Sequence, residues 1–261
     1  MTVRLDNGIA RMRLTRPCAG NAIDRDMVEA LHEAVGGLEA AVEARDARVV
    51  LLTGEGPAFC VGGDLTYLGE RVDELPAELE HMIGRFHRSV LPRLAALPVP
   101  VVVAAQGGVG GGGLGLLWLA DIVLAADDLK LATGFVKLGM TGDGGSSWYL
   151  PRLVGLRKAL ELSLRSTPVT ACEACELGLV TRVVPVADLA KAADEQAAEF
   201  AAGPTWAYGG IKRLYAQTWS RSYPEQLVAE YDAMVAGASR GDVREGILAF
   251  AQRRAPEFDG R

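Results

Sequence analysis

The chain is poor in groups that titrate near neutrality and poor in rings: three histidines, four cysteines and an aromatic content of 6% among 261 residues. His32, His81 and His87 stand far apart and offer no metal-ligand spacing. Cys18, Cys60, Cys172 and Cys175 include one C-x-x-C pair. That pair, Cys172 and Cys175, lies at helical spacing in TACEACELGLV with no second pair, so it reads as helix filler and no metal is expected. Positive charge is not in excess. Asp and Glu number 33 against 27 Lys and Arg, a formal net charge of −6, which argues against a nucleic-acid partner. The opening MTVRLDNGIARMRL lacks the apolar stretch of a secretory signal, and the expected compartment is the cytoplasm. Low-complexity segments and long linkers are missing too.

What is present is apolar material, 49% of the residues, enough for a sizeable core. Segments 2–5 and 8–14 flank Asp6-Asn7-Gly8, a hairpin signal. A helix is predicted over 25–44 with Asp24 as its N-cap, and 48–53 is an apolar run typical of a strand covered on both faces. Residues 73–97 read as mostly helical, interrupted at Pro76 and Pro92, with His87 a half-buried helix residue. Strands at 99–105 and 121–125 bracket a short helix at 114–120. From 152 onward the pattern is almost all helical, over 156–164, 171–177, 186–202, 205–215, 225–236 and 242–251. Alternating strands and helices predict right-handed crossovers and a mainly parallel α/β core.

The stretch that organises the chain is PVPVVVAAQGGVGGGGLGLLWLADIVLAA, residues 98–126, in which Gln106 and Asp121 are the strongly polar side chains. A membrane span is disfavoured by its glycines and prolines, each Gly costing a helix about 1 kcal/mol against Ala. A dinucleotide loop is suggested by Gly108, Gly110 and Gly113, which satisfy G-x-G-x-x-G. In so glycine-rich a run the match is cheap, and no basic residue stands nearby to meet a phosphate. The remaining functional reading is that bare backbone lets a ligand carbonyl approach N–H groups at a helix start, an oxyanion hole. Tight packing alone would also use glycines. A second glycine-rich loop, GEGPAFCVGGDL at 54–65, offers the same opportunity with Gly62 and Gly63. Asp143 sits between glycines in LKLATGFVKLGMTGDGGSSW, where it suits either a catalytic loop or the cap of the helix that follows.

Six pieces in order resemble the crotonase superfamily, the enoyl-CoA hydratases and isomerases: TRPCAGNAID at 15–24, GPAFCVGGDL at 56–65, PVPVVVAAQGGVGGGGLGL at 98–116, ADIVLAA at 120–126, ELGLVTRVV at 176–184 and REGILAFAQRRAPEF at 244–258. The resemblance implies a spiral of ββα repeats over 1–200, a helical trimerisation region over 201–261, and trimers or dimers of trimers. It implies acyl-CoA thioester substrates, with coenzyme A arriving as part of the substrate and no cofactor permanently bound. Carried over, the oxyanion-hole N–H groups fall on Gly63 and Gly112. Val61, Gly62, Asp64, Leu65 and Gly111 would line the coenzyme and thioester, and Phe250 and Arg253 would reach the coenzyme of a neighbouring subunit. Where family members often have a Lys after Arg16-Pro17, this chain has Cys18.

The departures bear on the chemistry. Positions that carry the two glutamates of a hydratase are Gly115 and Phe135 here, so hydration by that mechanism is not expected. An aspartate matching Asp143 occurs in the phenylacetate-pathway enoyl-CoA isomerases, which this stretch resembles in its FxKLG…DxGG…W…LPR pattern. The expected reaction is therefore a shift of a double bond between the 3,4 and 2,3 positions, with Asp143 as acid/base in a wall of Phe135, Val136 and Trp148. Chlorobenzoyl-CoA dehalogenase has its nucleophile at this position, but its histidine and tryptophan correspond to Arg88 and Phe135, with His87 about 100° around the helix. Another enolate reaction, or a non-catalytic acyl-CoA-binding subunit, are the alternatives.

Overall fold

Asn7 and Gly8 both take positive φ, 49° and 77°, the backbone of a two-residue hairpin turn whose twist matches its strands. They join β1 (Thr2–Asp6) to β2 (Ile9–Leu14). The computed structural model describes residues 1–260, so the last residue of the expected 201–261 region lies outside the described residues. After the hairpin come α1 (Arg25–Glu43), β3 (Val49–Gly54), α2 (Leu65–Gly69), α3 (Leu75–Arg85), α4 (Leu91–Ala96) and β4 (Val101–Ala105). The middle of the chain holds β5 (Gly108–Gly110), α5 (Gly113–Trp118), β6 (Ile122–Ala126), β7 (Lys130–Ala132), α6 (Ser146–Val154) and α7 (Leu156–Arg165). The remainder is β8 (Val169–Thr170), α8 (Ala171–Glu176), β9 (Arg182–Val184), α9 (Leu189–Ala202), α10 (Thr205–Ala216), α11 (Tyr223–Gly237) and α12 (Gly241–Gln252).

The main sheet runs β1-β2-β3-β4-β6-β9, antiparallel at β1–β2 and parallel thereafter, and a small sheet β5-β7-β8 stands beside it. Strand side chains alternate between two cores. Val50, Leu52, Val101 and Val103 face α1, whose Met27, Val28, Leu31, Val35 and Leu38 recur at helical spacing. Val49, Leu51, Val102, Ala104 and Leu124 face α9 across the other side. Each fully buried Leu or Val contributes roughly 1.5–3 kcal/mol. Asp24 caps α1 as expected, accepting the Met27 N–H at 2.8 Å. Among the described residues no helix is long and apolar enough to cross a membrane.

The region after 152 is almost all helical as expected, with two short strands besides: β8 joins the small sheet and β9 extends the main one by pairing with β6. Strands of two and three residues have no period to read, and their pairing partners lie far away in sequence. Pro76 is not an interruption, since it stands in the first turn of α3, where the missing N–H costs nothing. Pro92 does mark one: directly ahead of it the π-helical turn 86–90 separates α3 from α4. Finally, residues 186–188 form a separate 3₁₀ turn ahead of α9.

One buried side chain ties the N-terminal loop to the loop after β3. Asn21, fully buried and at φ 55°, accepts the Arg16 N–H at 2.8 Å and donates to the carbonyls of Glu55 and Ala58 at 3.0 and 2.8 Å. Removing it strands three backbone groups, each costing about 1–3 kcal/mol when buried unpaired. Asn21→Ala is expected to lose about 3 kcal/mol in urea unfolding with an unchanged m-value; a loss below about 0.5 kcal/mol would show that the loop repacks around water.

Candidate active site

Two loops meet backbone to backbone at the centre of the molecule. Gly110 N donates to Cys60 O at 3.1 Å, and Cys60 bridges Val109 in parallel register. A Cβ at Gly62 would lie 2.7 Å from Gly110 O, and one at Gly113 only 2.3 Å from Cys60 O. No side chain fits between them, which is why both loops are glycine-rich. The first loop is held from its other side by Ile23, whose N–H donates to Gly62 O at 2.7 Å and whose carbonyl accepts Asp64 N–H at 2.9 Å. Between these bonds the N–H of Gly63 is left over, and so is that of Gly112 where the second loop enters α5. Neither has an acceptor among the described residues, and both residues line one cleft. Two unpaired amides on one concavity are what a carbonyl gaining negative charge needs.

The cleft has a volume of about 380 Å³. One wall is apolar and helical, with Leu79, Met82, Ile83 and Phe86 at the 3–4 residue spacing of a single helix face. Opposite lie Ala132, Thr133, Phe135, Leu138 and Met140, with Ile23, Val61 and Leu65 at the sides. Charge on the lining is limited to Lys137 and Asp143.

Asp143 is brought there by the loop before α6. Its Oδ1 would lie 3.1 Å from a Cβ at Gly112, so the carboxyl sits beside one of the two unpaired amides. Oδ1 is buried and has no hydrogen-bond partner. Burial pushes the Asp143 carboxyl above the usual carboxylate range. The cap alternative is excluded, because α6 begins at Gly145 without a side-chain cap. The loop is closed by Ser146 N donating to Asp143 O at 3.1 Å and Gly144 N donating to His87 Nε2 at 3.0 Å. Beneath it, Trp118 Nε1 donates to the buried Ser146 Oγ at 3.0 Å.

That loop also accounts for Gly115. A Cβ there would lie 2.8 Å from Gly144 O and 2.9 Å from Gly144 Cα. The space of a longer side chain is taken by the backbone that delivers Asp143. The Phe135 ring lies against Gly111 and Gly142.

Of the expected site residues, Val61, Gly63, Leu65, Gly111, Gly112, Phe135 and Asp143 share the cleft. Gly62 serves the loop–loop contact instead. The Asp64 carboxylate caps α2 through Thr66 N and Tyr67 N, both at 3.1 Å, and accepts Arg16 at 3.0 Å. Burial alone would raise its pKa, but Tyr67 N–H, Arg16 and Thr66 N–H together hold it below the usual range. Its side chain serves the fold and is not part of the cleft lining. Trp148 is a correction. It is 46% exposed, stacked on Arg152 at 4.0 Å and edge-on to Tyr149, away from the lining, as is exposed Val136. Phe250, 87% exposed, and Arg253, at the C-terminus of α12, lie outside this cleft. Cys172 and Cys175 are on α8 as helix residues.

Two features escaped the sequence. Leu79, Met82 and Ile83 of α3 and Phe86 of the turn after it fall in the segment 73–97 that reads as mostly helical, but nothing local says what they face. His87 was placed about 100° from the useful direction on α-helical geometry, yet 86–90 is a π-helical turn, and this aims His87 at Gly144 while Arg88 is exposed.

Comparison with known proteins adds the context. The model of the enoyl-CoA hydratase/isomerase family matches residues 4–261. A 1,2-epoxyphenylacetyl-CoA isomerase of Escherichia coli is 35% identical over 98% of this chain and 97% of its own length. A protein described as a probable enoyl-CoA hydratase, from Rhodobacter capsulatus, is 33% identical over 98% and 96%. The crystal structure of an enoyl-CoA hydratase from Polaromonas superposes with a TM-score of 0.91 at 29% identity, covering 98% of each chain.

The unpaired carboxyl has a consequence for stability. A folded-state pKa raised above the unfolded value means that the fold favours protonated Asp143. This stabilisation is fully present below the unfolded carboxylate value, about 4, and is lost as pH rises through the folded value. Asp143→Asn removes the burial of charge. Its melting temperature is expected to exceed that of the wild type at neutral pH, with the gap closing as pH falls toward the unfolded value. A gap of opposite sign would mean that the carboxylate is paired in solution.

Proposed function

The chain belongs to the enoyl-CoA hydratase/isomerase family, and within it we propose that this protein is an enoyl-CoA isomerase with Asp143 as its acid/base. The observation that carries the reading is half-buried Asp143, whose buried Oδ1 lies without a hydrogen-bond partner beside Gly112 on a mostly apolar lining with no second carboxyl. Hydration needs a held and activated water. Here Gly115 has no room for a side chain and Phe135 presents a ring.

The chemistry follows from the charges. A thioester oxygen accepting the Gly63 and Gly112 N–H groups stabilises the enolate, and one such donor is worth about a hundred- to a thousandfold in rate. With the α-proton made acidic, Asp143 takes it from C2 of a 3-enoyl thioester. The electrons of that C–H bond pass into the dienolate, and the same proton returns to C4, leaving the double bond between C2 and C3. No water is consumed, so one carboxyl suffices. Its raised pKa makes the ionised form a stronger base than an exposed aspartate.

Assembly belongs to the same proposal. Tyr215, Trp219, Tyr223, Tyr231, Met234 and Phe250, on and around α10–α12, are all strongly exposed. Apolar surface of this extent supports contact with other copies of the chain, in the trimer or dimer of trimers that the family resemblance implies, with Phe250 and Arg253 toward the coenzyme of a neighbour.

With 3-enoyl-CoA esters, absorbance of the conjugated 2-enoyl product is expected to grow for the wild type and to slow by about 10²–10⁴-fold in Asp143→Asn. 2-Enoyl-CoA is expected to stay unhydrated. Equal rates in wild type and variant, or hydration surviving in the variant, would remove Asp143 from this role.

A further inference from the structure

His87 reaches the Asp143 loop from a different element. It lies in the single π-helical turn Phe86–Val90 between α3 and α4, where Leu91 N–H donates back to Phe86 O. A π turn inserts one extra residue into the helical circuit and is frequent where a helix serves a site. Here it leaves His87 half-buried with Nε2 3.0 Å from Gly144 N. A backbone N–H can only donate. In this bond Nε2 therefore carries no proton, and the imidazole proton resides on Nδ1.

The loop needs such a hold. Gly142, Gly144 and Gly145 have φ of 127°, 62° and 75°, so the backbone on both sides of Asp143 is the kind that loses most freedom on ordering. Asp143 anchors nothing through Oδ1. Packing of Gly144 on Gly115 limits movement inward, and the Ser146 bond fixes the far end. The peptide joining Asp143 to Gly144 is held by His87.

Resting on the isomerase reading of Asp143, we propose that His87 is a positioning residue: by accepting the Gly144 N–H on Nε2 it fixes the Asp143–Gly144 peptide and keeps the carboxyl beside Gly112. Displacing a reacting group by about 1 Å costs on the order of 10²-fold. Loss of the acceptor should therefore appear in turnover and not in binding.

In 3-enoyl-CoA isomerisation, His87→Ala is expected to lower kcat by about ten- to a hundredfold with KM within about twofold. His87→Gln, whose Oε1 can accept the same N–H, is expected to recover most of the loss. Wild-type kcat in His87→Ala, a change confined to KM, or a glutamine variant no better than alanine would each overturn the assignment. A second readout does not depend on turnover. With only three histidines in the chain, nitrogen-15 spectra of histidine-labelled protein, assigned by the signals lost in His87→Gln, are expected to show Nε2 unprotonated and Nδ1 protonated at mildly alkaline pH. A protonated Nε2 overturns the proposal. If the wild type turns over no 3-enoyl thioester, the isomerase reading falls, while the spectrum still decides whether His87 holds the loop.

Discussion

The contact on which the rest of this molecule depends is made chiefly by backbone. Loop 60–63 and loop 110–113 touch through their backbones, with Cys60 O where a Cβ of Gly113 would be and Gly110 O where a Cβ of Gly62 would be. Such an approach sacrifices side-chain burial and accepts the entropy that glycine loses on ordering. In return the amides of Gly63 and Gly112 are left without internal partners on the same concavity. Both sheets bear on them, since β5 of the small sheet runs into the second loop and the first follows β3 of the main sheet.

A second close approach is built on the first. Gly115, two residues into α5, admits the backbone of Gly144, and this brings Asp143 alongside Gly112. A side chain at Gly115 would meet Gly144 O at 2.8 Å and Gly144 Cα at 2.9 Å, so the two glycines are needed together.

Two aspartates near the cleft show how burial is resolved in opposite ways. Asp64 is buried with its oxygens satisfied by two backbone amides and Arg16, and it stays ionised below the usual range. Asp143 is half-buried with its Oδ1 enclosed and unsatisfied, and its pKa rises. Local strain and unpaired groups persist in folded chains where surrounding structure over-determines them, and they concentrate where chemistry is done. The π turn at 86–90 fits the same pattern, a departure from regular helix that directs one side chain at the loop.

Much of this was legible in one dimension. The Asn7-Gly8 turn, the Asp24 cap, the apolar strands and the glycine loops each follow from short-range chemistry, because φ > 0, a side-chain acceptor and alternation are properties of a few adjacent residues. So did the candidacy of Asp143, a lone acid between glycines. What tertiary structure decided were the questions of facing: that β8 and β9 pair with distant strands, that Asp64 spends its charge on Arg16 and α2, that Trp148 lies beside Arg152 outside the cleft, and that α3 forms a cleft wall. His87 is the half-buried helix residue expected, but its hydrogen bond reaches Gly144, 57 positions away, which no local pattern shows. Local sequence determines which conformations the backbone can take, whereas the direction in which a side chain points depends on segments far along the chain and is settled only when they pack.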